Sequence, residues 1–311
     1  MDHPAVRTDR LRPVPGTVVL LEAANGYGGP DPGAAEGARA LRRSGLANAL
    51  AAAGITVTWA PDSPPSPATP SDDSDLARVT AACHPLADAV AGYVSAGTRF
   101  AVIGGDHSIA VGTWSGARRG LPRRGQLGLL WIDAHMDSHV PATSPTGALH
   151  GMPLACLLGH GYRELCDLAG PAPALLPQHV CVVGVRSFER EEAELLGRLG
   201  VRVFGMREIA DRGIGPVLEE ALEIVSVGTA GFGVSVDLDA FDPDEAPGVS
   251  TPEPGGLRKA ETLPALEQVR QYRDLVGVEV AELNPRLDDG RTARLAIDVL
   301  IACLPPEGTR Q

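Results

Sequence analysis

The stretch Leu127-Gly128-Leu129-Leu130-Trp131-Ile132-Asp133-Ala134-His135-Met136-Asp137-Ser138-His139 decides the fold. Its apolar run, Leu127 to Ile132, shows no alternation and stops abruptly at two acids bracketing a histidine. A continuous apolar run of that length reads as a strand of a parallel sheet, covered on both faces. In an open α/β sheet, ligands bind outside the carboxyl ends of the strands. The polar residues therefore arrive where a site belongs. If the chain stays extended, alternation sends Asp133, His135 and Asp137 to one side. Two carboxylates converging with an imidazole make half a metal site. Taken alone, the same residues read equally well as a loop capping the next element.

Two further stretches break that tie. Phe100-Ala101-Val102-Ile103-Gly104-Gly105-Asp106-His107-Ser108 is another apolar strand, ending in glycines, an acid and a histidine. Phe232-Gly233-Val234-Ser235-Val236-Asp237-Leu238-Asp239-Ala240-Phe241-Asp242-Pro243 is a third, ending in Asp237, Asp239 and Asp242. Three separate strands deliver metal-type ligands at the same end. Close carboxylates in such number repel one another unless a cation sits among them. Oxygen-rich ligation with two histidines and no cysteine suits a harder metal than a thiolate site would. Two adjacent cations would make a shared water acidic enough to act as a nucleophile near neutral pH.

Working outward, strands and helices alternate. Strands are predicted at 17–22, 55–59, 99–103, 180–185, 201–204, 232–236 and 275–283, besides the central run. Helices are predicted at 34–53, 76–96, 109–120, 149–158, 189–199, 214–227, 260–272 and 292–303. Residues 25–33 form a glycine-rich loop. This alternation implies a mostly parallel sheet with helices on both faces. Neither an internal repeat nor a linker is evident, so residues 1–311 are expected to form one domain. The polar, proline-bearing stretch 1–15 is expected to be a flexible tail, and the Pro/Ser/Asp-rich stretch 61–75 a flexible surface loop.

The chain has 311 residues, enough for one large α/β core. Its formal charge of −12 opposes nucleic acid and an anionic membrane surface as partners, and favours a cationic small substrate. Five irregularly spaced cysteines without a C-x-x-C motif suggest reduced, buried thiols in a cytoplasmic protein. No apolar signal segment opens the chain and no stretch is apolar enough to span a bilayer.

The motifs Gly104-Gly105-Asp106-His107-Ser108, Asp133-Ala134-His135-Met136-Asp137 and Ser235-Val236-Asp237-Leu238-Asp239-Ala240-Phe241-Asp242-Pro243 resemble those of the ureohydrolase (arginase/agmatinase) family. They stand in the family's order, and the resemblance runs from about Val18 to Leu304. The Gly33-to-Leu46 stretch, with Glu36 between Ala35 and Gly37, is similar to the arginase branch. The resemblance implies a three-layer α/β/α fold, two manganese ions per chain and a trimer or hexamer. It implies His107, Asp133, Asp137 and Asp237 as ligands of one metal. His135, Asp133, Asp237 and Asp239 would hold the other, with Asp133 and Asp237 bridging. Asp106 and Asp242 would orient ligands.

By the same resemblance His150, in Gly147-Ala148-Leu149-His150-Gly151, carries a proton to the leaving amine, a task suited to an imidazole. Glu282, in Glu279-Val280-Ala281-Glu282-Leu283-Asn284-Pro285, pairs with the substrate guanidinium through both carboxylate oxygens. With Asp137 these are the expected catalytic residues. Thr251 lines the same pocket. Glu279 reads as a solvated strand-edge acid outside the site. His3, His84, His160 and His179 read as ordinary.

The recognition half departs from the arginases. They hold the amino-acid end of arginine with two asparagines; His139 and Ala148 stand at those positions here. Thr146 keeps the hydroxyl between them. Glu189 replaces an aspartate that binds the α-amino group, and Glu192 keeps a second acid. The expected activity is hydrolysis of a guanidino group to urea, or a substituted urea, and an amine. The first choice of substrate is L-arginine or a close derivative such as N-hydroxy-L-arginine. The runner-up is agmatine or a guanidino acid. Metal-dependent deacetylation would call for a single zinc-type site with fewer shared carboxylates. A metal-binding regulatory homologue without activity would be expected to have lost a ligand or His150, and neither is lost.

Overall fold

The computed structural model of the chain describes residues 16–61, 74–123 and 125–307. The expected tail at 1–15 and positions 62–73 of the expected loop lie outside them. Eight strands form one sheet in the order β2-β1-β3-β8-β7-β4-β5-β6. They are β1 (Val18–Glu22), β2 (Val57–Trp59), β3 (Phe100–Ile103), β4 (Leu127–Ile132), β5 (Val180–Val185), β6 (Arg202–Gly205), β7 (Gly231–Asp237) and β8 (Leu275–Ala281). Every pairing is parallel.

Between β3 and β4 the chain leaves a gap that β8 and β7 later fill. In that central block the register is continuous. Ile103 lies opposite Val280, Val280 opposite Val236, and Val236 opposite Ile132. One residue past this row come Gly104, Ala281, Asp237 and Asp133, level with one another. The register thus places the first acids of two motifs side by side, far apart though they are in sequence.

Alternate residues of each strand enter opposite cores, as a period of two requires. Leu20, Ile103, Leu130, Ile132 and Val234 belong to one apolar cluster. Val19, Leu21, Phe100, Val102, Leu129 and Trp131 belong to another. The first is covered by α1 (Gly37–Arg43), α2 (Leu46–Ala52), α8 (Met206–Arg212), α9 (Ile214–Ser226), α10 (Lys259–Leu266) and α11 (Arg291–Cys303). The second is covered by α3 (Asp75–Ser95), α4 (Ile109–Gly120), α5 (Pro153–Leu157) and α7 (Arg190–Leu199). The result is a three-layer α/β/α fold. Trp114 on α4 and Trp131 on β4 are fully buried. Trimming either to alanine costs about 3–5 kcal/mol.

The predicted strands and helices form, with three interruptions. The stretch 34–53 is not one helix. A 3-10 turn at Pro32–Glu36 leads into α1, and α1 and α2 part at Gly45, whose φ of 80° ends the first and caps the second. The stretch 149–158 is a 3-10 turn, Leu149–Gly151, followed by α5, which starts at Pro153. A proline lacks the N–H that an earlier helical turn would need and is suited to the first position. The stretch 260–272 ends its helix at Leu266 and resumes as a 3-10 turn at Val269–Gln271. Two short helices escaped the sequence pattern, α6 (Arg163–Cys166) and α8. Each spans two turns or fewer, too little for a hydrophobic period to show. Among the described residues no helix is long and apolar enough to cross a membrane.

Candidate metal centre

The carboxyl ends of β3, β8, β7 and β4 meet in one buried constellation. After β3, Gly104 and Gly105 both adopt left-handed φ (84° and 85°), and a Cβ on Gly104 would lie 2.4 Å from Ala38 N. This double turn delivers Asp106 and His107 into the interior, both fully buried. His107 Nδ1 lies 3.1 Å from each of Asp133 Oδ2, Asp137 Oδ2 and Asp237 Oδ2. Trp131 stacks on the His107 ring at 4.1 Å between centroids and donates its indole N–H to Asp133 Oδ2 at 2.9 Å.

A second group adjoins the first. His135 Nδ1 lies 3.4 Å from Asp133 Oδ1 and 3.1 Å from Asp239 Oδ2. Asp133 therefore turns one oxygen to each histidine. Two sets of side chains here could hold a metal ion, His107 with Asp133 and Asp237, and Asp133 with His135 and Asp239. Asp133 belongs to both sets and Asp237 to the first. Asp237 Oδ1 also accepts the Asp239 N–H at 2.8 Å. Asp137 reaches the same His107 nitrogen from outside the tighter set.

Extended alternation is not what gathers these residues. His135 N–H donates to Asp133 Oδ1 at 2.7 Å, turning the chain at once, and Asp137 has a φ of 46°. Glu282 has a φ of 66°, and these two are the non-glycine residues with left-handed backbone among those described. Such conformations cost about 1–3 kcal/mol each and collect at functional sites.

The electrostatics call for a cation. Burial, and then the neighbouring Asp133 charge, push the Asp137 carboxyl up to about 7. Burial, and then Asp239 and Asp133, drive Asp237 well above the carboxylate range, and Asp239 shifts upward too. Burial alone would lower His107, but its three aspartates hold the imidazolium far above its ordinary range. Left to itself the cluster takes up protons. His107 Nδ1, ringed by three carboxylate oxygens at 3.1 Å, makes no well-aligned hydrogen bond to any of them. A divalent cation would satisfy the unpaired nitrogen and the repelling oxygens together, so the donor set fits an oxygen-preferring metal.

Beside this cluster His150 Nδ1 lies 3.0 Å from Glu282 Oε1, which also accepts the His107 backbone N–H at 2.8 Å. Glu282 Oε2 is buried and has no partner. Oε1 is thus engaged by two protein groups, and Oε2 is left open. Burial lowers His150, but Glu282 outweighs it and the ring is held up to about 9. The glycine-rich loop closes over this histidine. Gly28 O accepts the His150 N–H at 3.0 Å. Asp106 holds the loop in turn, accepting from Gly28 N at 2.9 Å and Ser108 N at 3.0 Å. Asp106 therefore orients the loop rather than a metal-binding side chain. Asp242 likewise accepts from Gly255 and Gly256, at 3.0 and 3.3 Å, and ties down the following turn.

The expected recognition residues divide. His139 is buried, with Nδ1 3.1 Å from Thr143 Oγ1 and Nε2 2.9 Å from Glu189 Oε2 and 3.5 Å from Glu192 Oε2. Glu192 accepts Ser138 N and Glu189 N, both at 3.0 Å, and so caps α7 while pinning the residue after Asp137. Thr146 is exposed and accepts from Ala148 N at 3.1 Å. Thr251 donates to Asp239 Oδ2 at 3.0 Å and supports a candidate ligand directly.

The reading of Glu279 as a solvated edge acid is overturned. Glu279 lies on β8, an interior strand, and is fully buried. It accepts from Trp114 Nε1 at 3.1 Å and Ser235 Oγ at 2.7 Å. An acid inside a strand covered on both faces has no edge from which to reach water. Trp131 and Ser235 also passed unnoticed, since neither residue type announces a site.

With this geometry in view, comparisons with known proteins are consistent. The sequence profile of the arginase family matches residues 17–304. The chain is 36% identical to an arginase of Bacillus subtilis over 272 residues, covering 86% of this chain and 90% of the relative. A crystal structure of arginase from Bacillus cereus superposes with a TM-score of 0.85 at 33% identity, covering 93% of this chain and 98% of the other. A proclavaminate amidino hydrolase from Streptomyces clavuligerus superposes with a TM-score of 0.73 at 27% identity, covering 94% and 92%. The chain belongs to the ureohydrolase family, in its arginase branch.

Proposed function

We propose that the protein is a two-metal amidinohydrolase that cleaves a guanidino group to urea, or a substituted urea, and an amine. The observation that carries this reading is Asp133, whose two oxygens face His107 and His135 separately. In this reading His107, Asp133, Asp137 and Asp237 would hold one manganese ion, and His135, Asp133, Asp237 and Asp239 the other. Two such ions, when bound, supply a water that ionises near neutral pH and a Lewis acid for the guanidinium.

The chain's own groups do the rest. The unpaired Oε2 of Glu282 accepts one guanidinium N–H and orients the electrophilic carbon. Its Oε1 holds His150 Nδ1–H, so the same carboxylate places substrate and acid. Attack of the ionised water, as hydroxide, on the guanidinium carbon would give a tetrahedral intermediate. Its C–N bond to the alkylamine breaks as His150 gives that nitrogen a proton, and the hydroxyl proton passes to the Asp137 carboxylate as the C=O of urea forms. A ring held cationic to about pH 9 is loaded for this at neutral pH. The substrate is L-arginine or a close derivative such as N-hydroxy-L-arginine. The engagement of His139 with Glu189 favours a second reading, a guanidino compound with a different far end, such as agmatine or a guanidino acid.

The test is a screen of the manganese-loaded protein against guanidino compounds, reading urea release and product mass. Urea from at least one compound, abolished by chelation, is expected. Full activity in protein shown analytically to be metal-free would overturn the mechanism.

A further inference from the structure

We propose that Ser235 and Glu279 are positioning residues that aim His107 at its half of the centre. The inference rests on the metal reading above. Ser235 on β7 and Glu279 on β8 are register partners, so their side chains leave the sheet on the same face. Ser235 Oγ lies 2.7 Å from Glu279 Oε1 and 2.9 Å from His107 Nε2. A serine hydroxyl has one proton. Spent on the carboxylate, it leaves Ser235 only able to accept from His107, so Nε2 carries the ring's hydrogen. In the neutral ring Nδ1 then keeps its lone pair, directed at Asp133, Asp137 and Asp237, each 3.1 Å away.

Trp114 fixes the far end, donating its indole N–H to the same Glu279 oxygen at 3.1 Å. An indole N–H can only donate, which keeps Oε1 an acceptor. Glu279 forms no ion pair among the described residues and is wholly buried. An apolar residue of similar volume would pack there without the cost of burying a carboxyl group. The acid therefore serves orientation rather than stability. The outer nitrogen of His135 has only a looser neighbour among the described residues, Glu253 Oε1 at 4.0 Å from Nε2 and beyond hydrogen-bond reach, so the relay favours one metal over the other.

The experiment titrates manganese into metal-free protein by calorimetry and records 113Cd NMR of the cadmium-loaded protein. Ser235→Ala and Glu279→Met are expected to weaken one of two sites about ten- to a hundredfold. They should move one of two cadmium resonances and leave the other site within about twofold. Glu279→Gln keeps an acceptor for Ser235 and Trp114 and should retain most of the affinity. Ser235→Ala is close to isosteric, so its metal-free melting temperature should stay near that of the wild type and it decides the matter if Glu279→Met fails to fold. Unchanged affinities, or equal losses at both sites with a lowered metal-free melting temperature, would overturn the assignment. A wild type that binds no cation would overturn the metal reading itself.

Discussion

Glu282 Oε1 holds the His150 ring at 3.0 Å while its Oε2, equally buried, is left without a partner. One carboxylate thus has a finished task and an open one. Substitutions on the two sides of the pair should separate them. His150→Asn is expected to lower kcat about a hundredfold or more, the range for a lost general acid, with metal content and KM nearly unchanged. Metal loss measured in that variant would make His150 a ligand instead. Glu282→Gln is expected to raise KM as well as lower kcat, because it removes a charge from the guanidinium and the partner of His150 together. Unchanged KM would remove Glu282 from substrate binding.

Metal stoichiometry should follow the geometry. Asp133 faces both histidines, so Asp133→Ala is expected to lose both ions. Asp239→Ala, which touches only the His135 side, should keep about one ion per chain. Elemental analysis of the purified variants checks this. Equal retention by both would mean that Asp133 does not join the two sites.

The His150–Glu282 pair also has a pH signature in the metal-free protein. The folded histidine titrates at about 9, above the ordinary 6.5 of an unfolded one. The folded state therefore binds the proton more tightly, and the pair's contribution is complete below about pH 6.5 and lost as pH rises through about 9. At about 1.4 kcal/mol per pKa unit this amounts to at most about 3.5 kcal/mol. The melting-temperature gap between wild type and Glu282→Gln should narrow from pH 6 to pH 10. A gap that does not vary with pH would show that the pair is not linked to folding.

Much of the centre was legible in sequence because each motif follows an apolar strand, and a parallel sheet puts all such ends on one edge. Asp133, His135, His107, Asp237 and Asp239 come together for that reason. The manner of convergence was not legible. Alternation predicted an extended arm, whereas hydrogen bonds from side chains to nearby backbone and the left-handed Asp137 curl the segment. Glu279 was misread because strand order is invisible until the sheet is assembled. Once β8 lies between β3 and β7, no edge remains for it. The division of 34–53 turned on Gly45, a single left-handed residue inside an otherwise helical pattern.

Under the proposed function, substrate choice should depend on His139. Both of its ring nitrogens already face protein groups, Thr143 Oγ1 and Glu189 Oε2. Nε2, facing a carboxylate at 2.9 Å, donates to it, and cannot at the same time hold a substrate carboxylate well. Ala148 offers no side-chain donor at all. The nearby Arg190 is engaged with Glu194 at 3.4 Å and Glu191 at 3.9 Å. Glu189 meanwhile is half exposed and available to a substrate amine only by sharing with His139. The α-carboxylate of plain arginine would therefore lack at least one charged hydrogen bond, worth roughly 1.5–3 kcal/mol, or about ten- to a hundredfold in kcat/KM. Replacing His139 and Ala148 together by asparagine should supply side-chain amide donors and release Glu189. Arginine is then expected to gain about tenfold or more in kcat/KM, while agmatine, which has no carboxylate, gains little. The comparison runs over arginine, N-hydroxyarginine, agmatine and guanidinobutyrate, for wild type and double variant. If the wild type already prefers plain arginine and the double variant changes no ratio, these two positions do not set specificity.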